Sequence, residues 1–301
     1  MGGSNYFKRF DRARRRGLFF CGVRFLLAGC KKKDETQPDF PRLAAKVSTR
    51  DVTFRSAALN RDMQYRATFP TKMAAGEKLQ VVGLLHGGGG GFRDWSNYSD
   101  VARFAERDPL LVMPEGDSSY FVNSAETPED KYEDYIIADV IADVERRFSV
   151  VTGRRNRAIA GVSMGGFGAV NLGLRHPELF AFAGGISPAL DVPGRPFSVK
   201  RIGPWRRFRA IFGEWNGQAQ RDNDPFVLAR SADPTKTPYL FLSCGEQEGL
   251  LAVNKAFAAL LEKRHIPYEF HTAPGDHNWN QWDEQIPSLF KSMSEQMHPG
   301  G

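Results

Sequence analysis

The sequence predicts an α/β protein in which helices cover both faces of a mainly parallel sheet. The main observation is that short apolar segments alternate with amphipathic ones from residue 79 onward, as they do when each helix returns the chain to a parallel strand. The composition agrees, since 41% of the residues are hydrophobic and 25% are charged, as in soluble globular domains. The 23 Phe and 5 Trp residues are ample for a core and exclude general disorder.

The order of the segments predicts eight strands and four long helices. The chain opens on two alternating segments that we expect to pair antiparallel, Asp51–Ser56 and Met63–Phe69. Parallel strands are predicted at Leu79–His86, Leu110–Pro114, Arg157–Gly161, Phe180–Ser187, Pro238–Cys244 and Tyr268–Thr272. Helices are predicted at Tyr132–Phe148, Met164–Leu174, Leu250–Arg264 and Trp279–Met293.

Residues 188–237 interrupt this alternation and are rich in Pro, Arg and aromatic residues. We expect this insertion to form a lid or pocket wall over the strand ends, where ligands bind in such sheets. Basic and aromatic residues also interleave in grooves for single-stranded nucleic acid. That interpretation is disfavoured because the domain carries no net charge once the first 29 residues are set aside.

The formal charge of +6 lies entirely in residues 1–29, which hold seven Lys or Arg residues and one acidic residue. A basic start, a short apolar stretch and small residues before Cys30 are typical of a signal peptide. Leu27–Cys30 resembles the lipobox of bacterial lipoproteins, although Arg24 interrupts the apolar stretch. We expect export to the periplasm or cell envelope and attachment through a lipidated Cys30; the alternative is a basic tail on a cytosolic protein.

The expected organisation is a signal peptide at 1–29, a polar linker at 30–43, one domain at 44–294 and a tail at 295–301. The sequence contains no stretch of about 18 uncharged apolar residues from which to build a transmembrane helix. Because Cys21 and Cys30 precede the domain, Cys244 has no partner for a disulfide within it. Its place at the end of an apolar strand predicts a buried structural thiol.

The segment Gly161–Gly165 has the pattern G-x-S-x-G, with Ser163 at its centre. An apolar strand leads into it and a helix rich in small residues leaves it, which is the context that a nucleophile elbow requires. The two glycines leave room for the backbone to approach its neighbours in the tight turn. The alternative is a glycine-rich turn with a structural serine.

A run of five glycines follows His86 at the end of a predicted strand. Glycine-rich loops at this place let backbone N–H groups face a developing oxyanion. A phosphate-binding loop is the rival, but its Lys and Ser/Thr are missing. We expect His86 to fix the loop by hydrogen bonds.

A histidine and an acid are expected after later strands. Serine hydrolases with a nucleophile elbow carry their catalytic residues in the chain order serine, acid, histidine. His277 lies in a short loop after the last strand, where it can take a proton from Ser163 and return it. His176, His265, His271 and His298 are less well placed. Two acids follow the strand that ends at Cys244, and the residues alone leave Glu246 and Glu248 both open.

Together these segments resemble the esterase D family of α/β-hydrolases over residues 44–294. The most specific blocks are Ala158–Ala169, Arg175–Pro177, Tyr132–Tyr135 and Gly275–Trp279 with Trp282. The resemblance implies the α/β-hydrolase fold and places the acid at Glu248, where the family usually has Asp. It also implies that the backbone N–H groups of Gly88 and Met164 form the oxyanion hole.

These residues predict an exported serine carboxylesterase that forms an acyl-enzyme on Ser163 and needs no metal or cofactor. Short acyl, acetyl-carbohydrate and feruloyl esters are the expected substrates. On the same fold, the alternatives are an acyltransferase and a thioesterase similar to S-formylglutathione hydrolase. From another class, the alternative is a non-catalytic envelope-binding lipoprotein.

Overall fold

The computed structural model describes residues 39–106, 109–194 and 202–297, and of residues 202–205 it describes the backbone. The predicted signal peptide, Cys30 and the linker up to residue 38 lie outside the described residues. So do residues 195–201 of the insertion and residues 298–301 of the tail. None of the helices in the described ranges combines the length and the apolar composition that a transmembrane span requires.

The described residues form one eight-stranded sheet, which confirms the predicted fold class. Its strands are β1 (Val47–Ser56), β2 (Arg61–Pro70), β3 (Val81–Leu85), β4 (Leu110–Pro114), β5 (Arg157–Val162), β6 (Phe182–Ile186), β7 (Tyr239–Gly245) and β8 (Tyr268–Ala273). Their order is β1-β2-β4-β3-β5-β6-β7-β8. β2 pairs antiparallel with both β1 and β4, and β3 to β8 are all parallel.

Alternate residues of the central strands enter opposite apolar layers, as the two-residue period of a strand requires. In β5, Ile159 packs into one layer, and Ala158 and Ala160 pack into the other. The strands are therefore apolar on both faces, which is why they appear in the sequence as continuous apolar runs.

Helices supply the outer side of each layer. The helices are α1 (Asp94–Tyr98), α2 (Tyr132–Asp134), α3 (Ile141–Arg147), α4 (Met164–Arg175), α5 (Ile202–Phe212), α6 (Gln218–Asp222), α7 (Pro225–Ser231), α8 (Leu251–Lys263) and α9 (Trp279–Met297). α1, α9 and a 3₁₀-helix at Val101–Ala105 cover one face. α3, α4, α7 and α8 contribute buried residues to the other.

The helix predicted at Tyr132–Phe148 contains an irregularity that the sequence does not reveal. Between α2 and α3 the chain continues without a break through a π-helical segment, Tyr135–Val140. Tyr135, Ile136 and Val140 are buried in this segment. A π segment accommodates an extra residue in one turn, so the apolar face is kept while the hydrogen-bond pattern changes.

Residues 39–43, predicted as the end of a linker, are in contact with the domain. Arg66 is buried, and its guanidinium donates hydrogen bonds to the carboxylates of Asp39 and Asp51. The backbone N–H of Arg42 donates to the carbonyl of Ser96 at 2.7 Å. A buried guanidinium needs carboxylate partners, and Asp39 supplies one of them, so these residues pack against the domain.

The insertion at 188–237 divides into two parts. Phe212 of α5 packs with Phe167 and Val122 in an apolar cluster that is separate from the two layers of the sheet. In contrast, α7 carries Ala229 into the apolar layer of the sheet. The last part of the insertion is therefore a core helix. α9 also runs four residues beyond the predicted end at Met293, so residues 295–297 are helical and not tail.

Candidate active site

The candidate site lies along the edge of the sheet where the parallel strands end. Because β3, β5, β6, β7 and β8 all run in one direction, the residues that follow them meet at that edge. The following residues include Gly88 after β3, Ser163 after β5, Ser187 after β6, Glu248 after β7 and His277 after β8. The topology therefore brings together positions that are up to 189 residues apart in the sequence.

Ser163 occupies a strained turn between β5 and α4. Its φ of 54° and ψ of −112° are unusual for a residue with a side chain, and such strain is typical of functional positions. A Cβ at Gly161 would lie 2.2 Å from the backbone of Gly165, and one at Gly165 would lie 2.2 Å from the carbonyl oxygen of Leu85. Only glycine fits at both positions, so the motif is a requirement of this turn.

Ser163, His277 and Glu248 form a continuous hydrogen-bonded line. The hydroxyl Oγ of Ser163 lies 2.8 Å from Nε2 of His277. The other ring nitrogen, Nδ1, lies 2.7 Å from Oε2 of Glu248. A carboxylate can only accept, so Nδ1 donates to Glu248 and leaves Nε2 free to accept the serine proton.

The acid in this line is Glu248 and not Glu246. Glu246 is exposed, whereas Glu248 is buried with 5% of its surface accessible. Burial alone would raise the pKa of Glu248, but hydrogen bonds from His277, Ser187 and the backbone N–H of Gly245 outweigh it and leave the pKa below its usual value. The carboxyl group is therefore ionised at neutral pH.

Gly88 and Met164 face each other beside the serine. Gly87 to Gly90 form a turn closed by a hydrogen bond from the N–H of Gly90 to the carbonyl of Gly87 at 3.0 Å. Gly89 in this turn has a φ of +75°, which favours glycine. A Cβ placed on Gly88 would lie 3.9 Å from that of Met164, and the first N–H groups of α4 have no partner within the helix.

His86 lies beneath this loop and is buried. Its Nε2 accepts a hydrogen bond from the backbone N–H of Gly116 at 3.0 Å, and its Nδ1 donates to the carbonyl of Gly87 at 2.9 Å. The ring also lies edge-on to Phe121. Both nitrogens are thus engaged: Nδ1 holds the glycine loop at Gly87, as expected from the sequence, and Nε2 ties it to Gly116 after β4.

The apolar cluster of the insertion adjoins the serine. The backbone N–H groups of Phe167 and Ala189 both donate to the carbonyl of Ser163, at 3.0 and 3.2 Å. Their side chains belong to the cluster with Phe212, against which Leu250 also packs. The carbonyl of Ser163 is therefore held by the backbone of two residues of this cluster.

Sequence reasoning missed Ser187. It is fully buried, and its hydroxyl lies 2.5 Å from Oε1 of Glu248 and 3.1 Å from the indole Nε1 of Trp282. A single serine has no motif, but its place directly after β6, between the strands that carry Ser163 and Glu248, is a signal that could have identified it.

His176, His271 and Cys244 are titratable groups that do not belong to the line of Ser163, His277 and Glu248. His176 and His271 pair with Glu133 and Glu269. Cys244 is buried as predicted, and burial together with the nearby charge of Glu248 raises the pKa of its thiol to about 12. Among the described residues, no group of three or more His, Cys, Asp and Glu side chains is arranged to hold a metal ion.

The known proteins that are similar to this chain include esterases. A family model described as "Putative esterase" matches residues 56–293. An acetyl esterase of Caldicellulosiruptor saccharolyticus is 25% identical over 259 residues, which cover 81% of this chain and 97% of that protein. An endo-1,4-beta-xylanase/feruloyl esterase of Xylanibacter ruminicola is 23% identical over 194 residues, which cover 61% of this chain and 22% of that protein.

A solved structure with the same fold is fluorophosphonate-binding serine hydrolase F of Staphylococcus aureus, with substrate bound. It superimposes with a TM-score of 0.71 at 24% identity, and the match covers 82% of this chain and 98% of that one.

Proposed function

The chain belongs to the putative esterase family, and from that premise we propose that it hydrolyses carboxylic esters through an acyl-enzyme on Ser163. The observation that carries this proposal is the line of hydrogen bonds from Glu248 through His277 to Ser163. Ser163 and His277 are both partly open to solvent, so an ester carbonyl and a water molecule can reach them. The fold is that of the α/β-hydrolases.

In the first half-reaction, Oγ of Ser163 attacks the ester carbonyl carbon while Nε2 of His277 takes the hydroxyl proton. The carbonyl π electrons move to oxygen, and the backbone N–H groups of Gly88 and Met164 stabilise the resulting oxyanion. As the tetrahedral intermediate collapses, the bond to the alcohol oxygen breaks and His277 returns the proton to that oxygen. Ionised Glu248 stabilises the imidazolium throughout.

In the second half-reaction, water attacks the acyl-enzyme and gives a proton to Nε2 of His277. The bond between the acyl carbon and Oγ then breaks, and the same proton returns to Ser163. The products are a carboxylic acid and a free enzyme.

The substitution Ser163→Ala tests this proposal. Hydrolysis of p-nitrophenyl acetate should fall by about 10³-fold or more, and reaction with a fluorophosphonate probe should be lost. An inactive wild type with intact folding would instead support a non-catalytic binding protein. Retention of hydrolysis in the variant would contradict the assignment of Ser163.

For the acyl group, we propose acetyl and other short acyl esters, with feruloyl esters as the second candidate. The support is that the acetyl esterase of C. saccharolyticus aligns over nearly its whole length, whereas the xylanase/feruloyl esterase aligns over a fifth of its length. Comparing kcat/KM for p-nitrophenyl acetate, butyrate and octanoate with that for methyl ferulate separates the two. A preference for octanoate would contradict both.

For the location, we propose export and attachment to a bacterial membrane through Cys30. The support is sequence alone: the basic start, the apolar stretch and the Leu27–Cys30 segment. Replacing Cys30 by Ser should move the protein from the membrane fraction to the soluble fraction. A wild type that is already soluble in the cytosol with Met1 intact would contradict this proposal.

A further inference from the structure

Ser187 occupies a place that its neighbours define closely. It follows β6, between β5, which leads to Ser163, and β7, which leads to Glu248. It is fully buried, and its φ of 49° is unusual for a non-glycine residue. Its backbone N–H donates to the carbonyl of Ser243 at 2.7 Å. Buried backbone in this conformation is typical of functional sites.

The chemistry of Trp282 and Glu248 fixes the direction of the two hydrogen bonds that Ser187 makes with them. The indole N–H of Trp282 can only donate, so Oγ of Ser187 accepts from it at 3.1 Å. Glu248 is ionised and can only accept, so the hydroxyl proton of Ser187 goes to Oε1 at 2.5 Å. The chain of donors therefore runs from Trp282 through Ser187 to Glu248.

These hydrogen bonds determine which carboxylate oxygen of Glu248 faces His277. Oε1 of Glu248 accepts from Ser187 and from the backbone N–H of Gly245 at 2.9 Å. Oε2 is left for Nδ1 of His277. Rotation of the carboxylate would break two hydrogen bonds in a buried environment, where unpaired polar groups are costly.

Trp282 also contacts the base directly. Its ring lies edge-to-face with that of His277, with centroids 4.9 Å apart and an interplanar angle of 88°. Trp282 thus contacts His277 through its ring and acts on Glu248 through Ser187. Ser187 and Trp282 are almost fully buried, at 0% and 7% exposure.

We propose that Ser187 and Trp282 are positioning residues, which hold Glu248 so that Oε2 faces His277 in the orientation that the reaction needs. This inference rests on the proposed function. It differs from a role in core packing, because packing alone would affect stability and leave kcat unchanged. Neither residue donates a hydrogen bond to Ser163 or to a ring nitrogen of His277.

The test compares Ser187→Ala and Trp282→Phe with two matched controls. Ser243→Ala removes the hydroxyl of a buried serine that makes no side-chain hydrogen bond within the described residues. Trp279→Phe changes the neighbouring tryptophan, whose ring packs on those of Trp95, Tyr98 and Trp282 and makes no ring contact with His277 in the described residues. Steady-state kinetics, thermal unfolding and the low-field proton resonance of the His277 Nδ1–H are measured for each.

We expect Ser187→Ala to lower kcat by about 10- to 100-fold, the range for losing one hydrogen bond to a charged group, with KM unchanged within about twofold. Trp282→Phe should lower kcat by about two- to tenfold, as for one hydrogen bond between neutral groups. The loss of kcat in the double variant should be smaller than the product of the two single losses, because both residues act through the same series of hydrogen bonds. The Nδ1–H resonance should shift in Ser187→Ala and stay in both controls.

Wild-type kcat in a folded Ser187→Ala or Trp282→Phe variant, or equal losses in the controls, would overturn the inference. If Ser187→Ala does not fold, Trp282→Phe decides, because it keeps an aromatic ring beside His277 and removes the indole N–H, while Trp279→Phe controls for the smaller ring. Ser163→Ala is assayed in the same panel. Activity there contradicts the proposed function, whereas an inactive Ser163→Ala beside a fully active Ser187→Ala contradicts only the positioning role.

Discussion

Two buried glutamates in this protein each pair with a histidine, and only one pair lies at the candidate active site. Glu133 lies 2.6 Å from Nε2 of His176, and Glu248 lies 2.7 Å from Nδ1 of His277. Both carboxyl groups are at most 5% exposed. In both, burial would raise the pKa, and hydrogen bonds from the neighbours lower it more.

The pairs differ in what the second ring nitrogen faces. Nδ1 of His176 faces the carboxylate of Glu178 at 3.5 Å, and Glu133 also accepts from Arg175. Both nitrogens of His176 therefore face acids, and neither is available to take a proton from a hydroxyl. Nε2 of His277 faces the hydroxyl of a serine in a strained turn.

Position in the fold explains this difference. α4 is 12 residues long, so its two ends are about 18 Å apart. Its first end follows Ser163 at the edge of the sheet where strands β3 and β5 to β8 end. Its other end carries Arg175 and leads into His176. There the contact between Glu133 and His176 joins α2 to the end of α4. A buried Glu–His pair thus serves structure at one end of the helix and, in our account, catalysis at the other.

The histidine substitutions give the largest expected contrast between the two pairs. His277→Asn should lower kcat for p-nitrophenyl acetate by about 10³-fold or more, because the general base is lost. His176→Asn should leave kcat within about threefold, because the ring lies far from the serine. Equal losses of kcat in folded His277→Asn and His176→Asn variants would contradict the different roles of the two pairs.

The glutamate substitutions are expected to separate activity from stability. Glu248→Gln should lower kcat by about 10²- to 10⁴-fold, because an amide does not stabilise the imidazolium. Glu133→Gln should leave kcat near the wild-type value and lower the free energy of unfolding by about 1–3 kcal/mol, as an impaired buried hydrogen-bond network does. Urea unfolding followed by fluorescence, together with initial rates, measures both. Loss of activity in a fully folded Glu133→Gln would contradict this assignment.

A shorter acid should have a smaller effect than an amide. Glu248→Asp keeps the charge but withdraws the carboxylate by one methylene from His277 and Ser187. We expect kcat to fall by about tenfold, because a misplacement of about 1 Å in a site can cost up to about 10²-fold. A loss as large as that of Glu248→Gln would mean that the length of Glu248 matters as much as its charge.

The smallest effect concerns the pH dependence of stability, in which the two pairs should behave alike. Both glutamates have a folded pKa below the ordinary value of 4.5, so the unfolded chain binds more protons as the pH falls. Their contribution to stability is present above about pH 4.5 and is lost as the pH falls through the folded pKa. Glu133→Gln and Glu248→Gln should each flatten the acid side of a plot of unfolding free energy against pH. An unchanged slope in either variant would contradict the lowered pKa of the glutamate that was replaced.

The sequence was sufficient to predict the alternation of strands and helices, because strands buried on both faces are continuous apolar runs. It also predicted the turn at Ser163, where two glycines at close backbone contacts admit no other residue. The structure brings Ser163, His277 and Glu248 into one line, and it separates Glu248 from Glu246 by burial. Periodicity cannot make that last distinction, because both acids lie in one short loop.

Other features depend on contacts between distant residues, which a single sequence does not display. The pairing of Asp39 with Arg66 joins residues 27 positions apart, so the acid appeared to belong to a linker. The hydroxyl of Ser187 meets Trp282 across 95 positions. The π segment at Tyr135–Val140 keeps nearly helical spacing, so its changed hydrogen bonding leaves no trace in the apolar pattern.

The most direct test of the account is to locate the covalent adduct that a fluorophosphonate probe forms with the wild-type protein. Peptide mass spectrometry should find one modification, on Ser163, and none in the Ser163→Ala and His277→Asn variants. The His176→Asn variant should be labelled at nearly the wild-type rate. An adduct on another residue, or a labelled Ser163→Ala protein, would contradict the claim that this serine is the nucleophile.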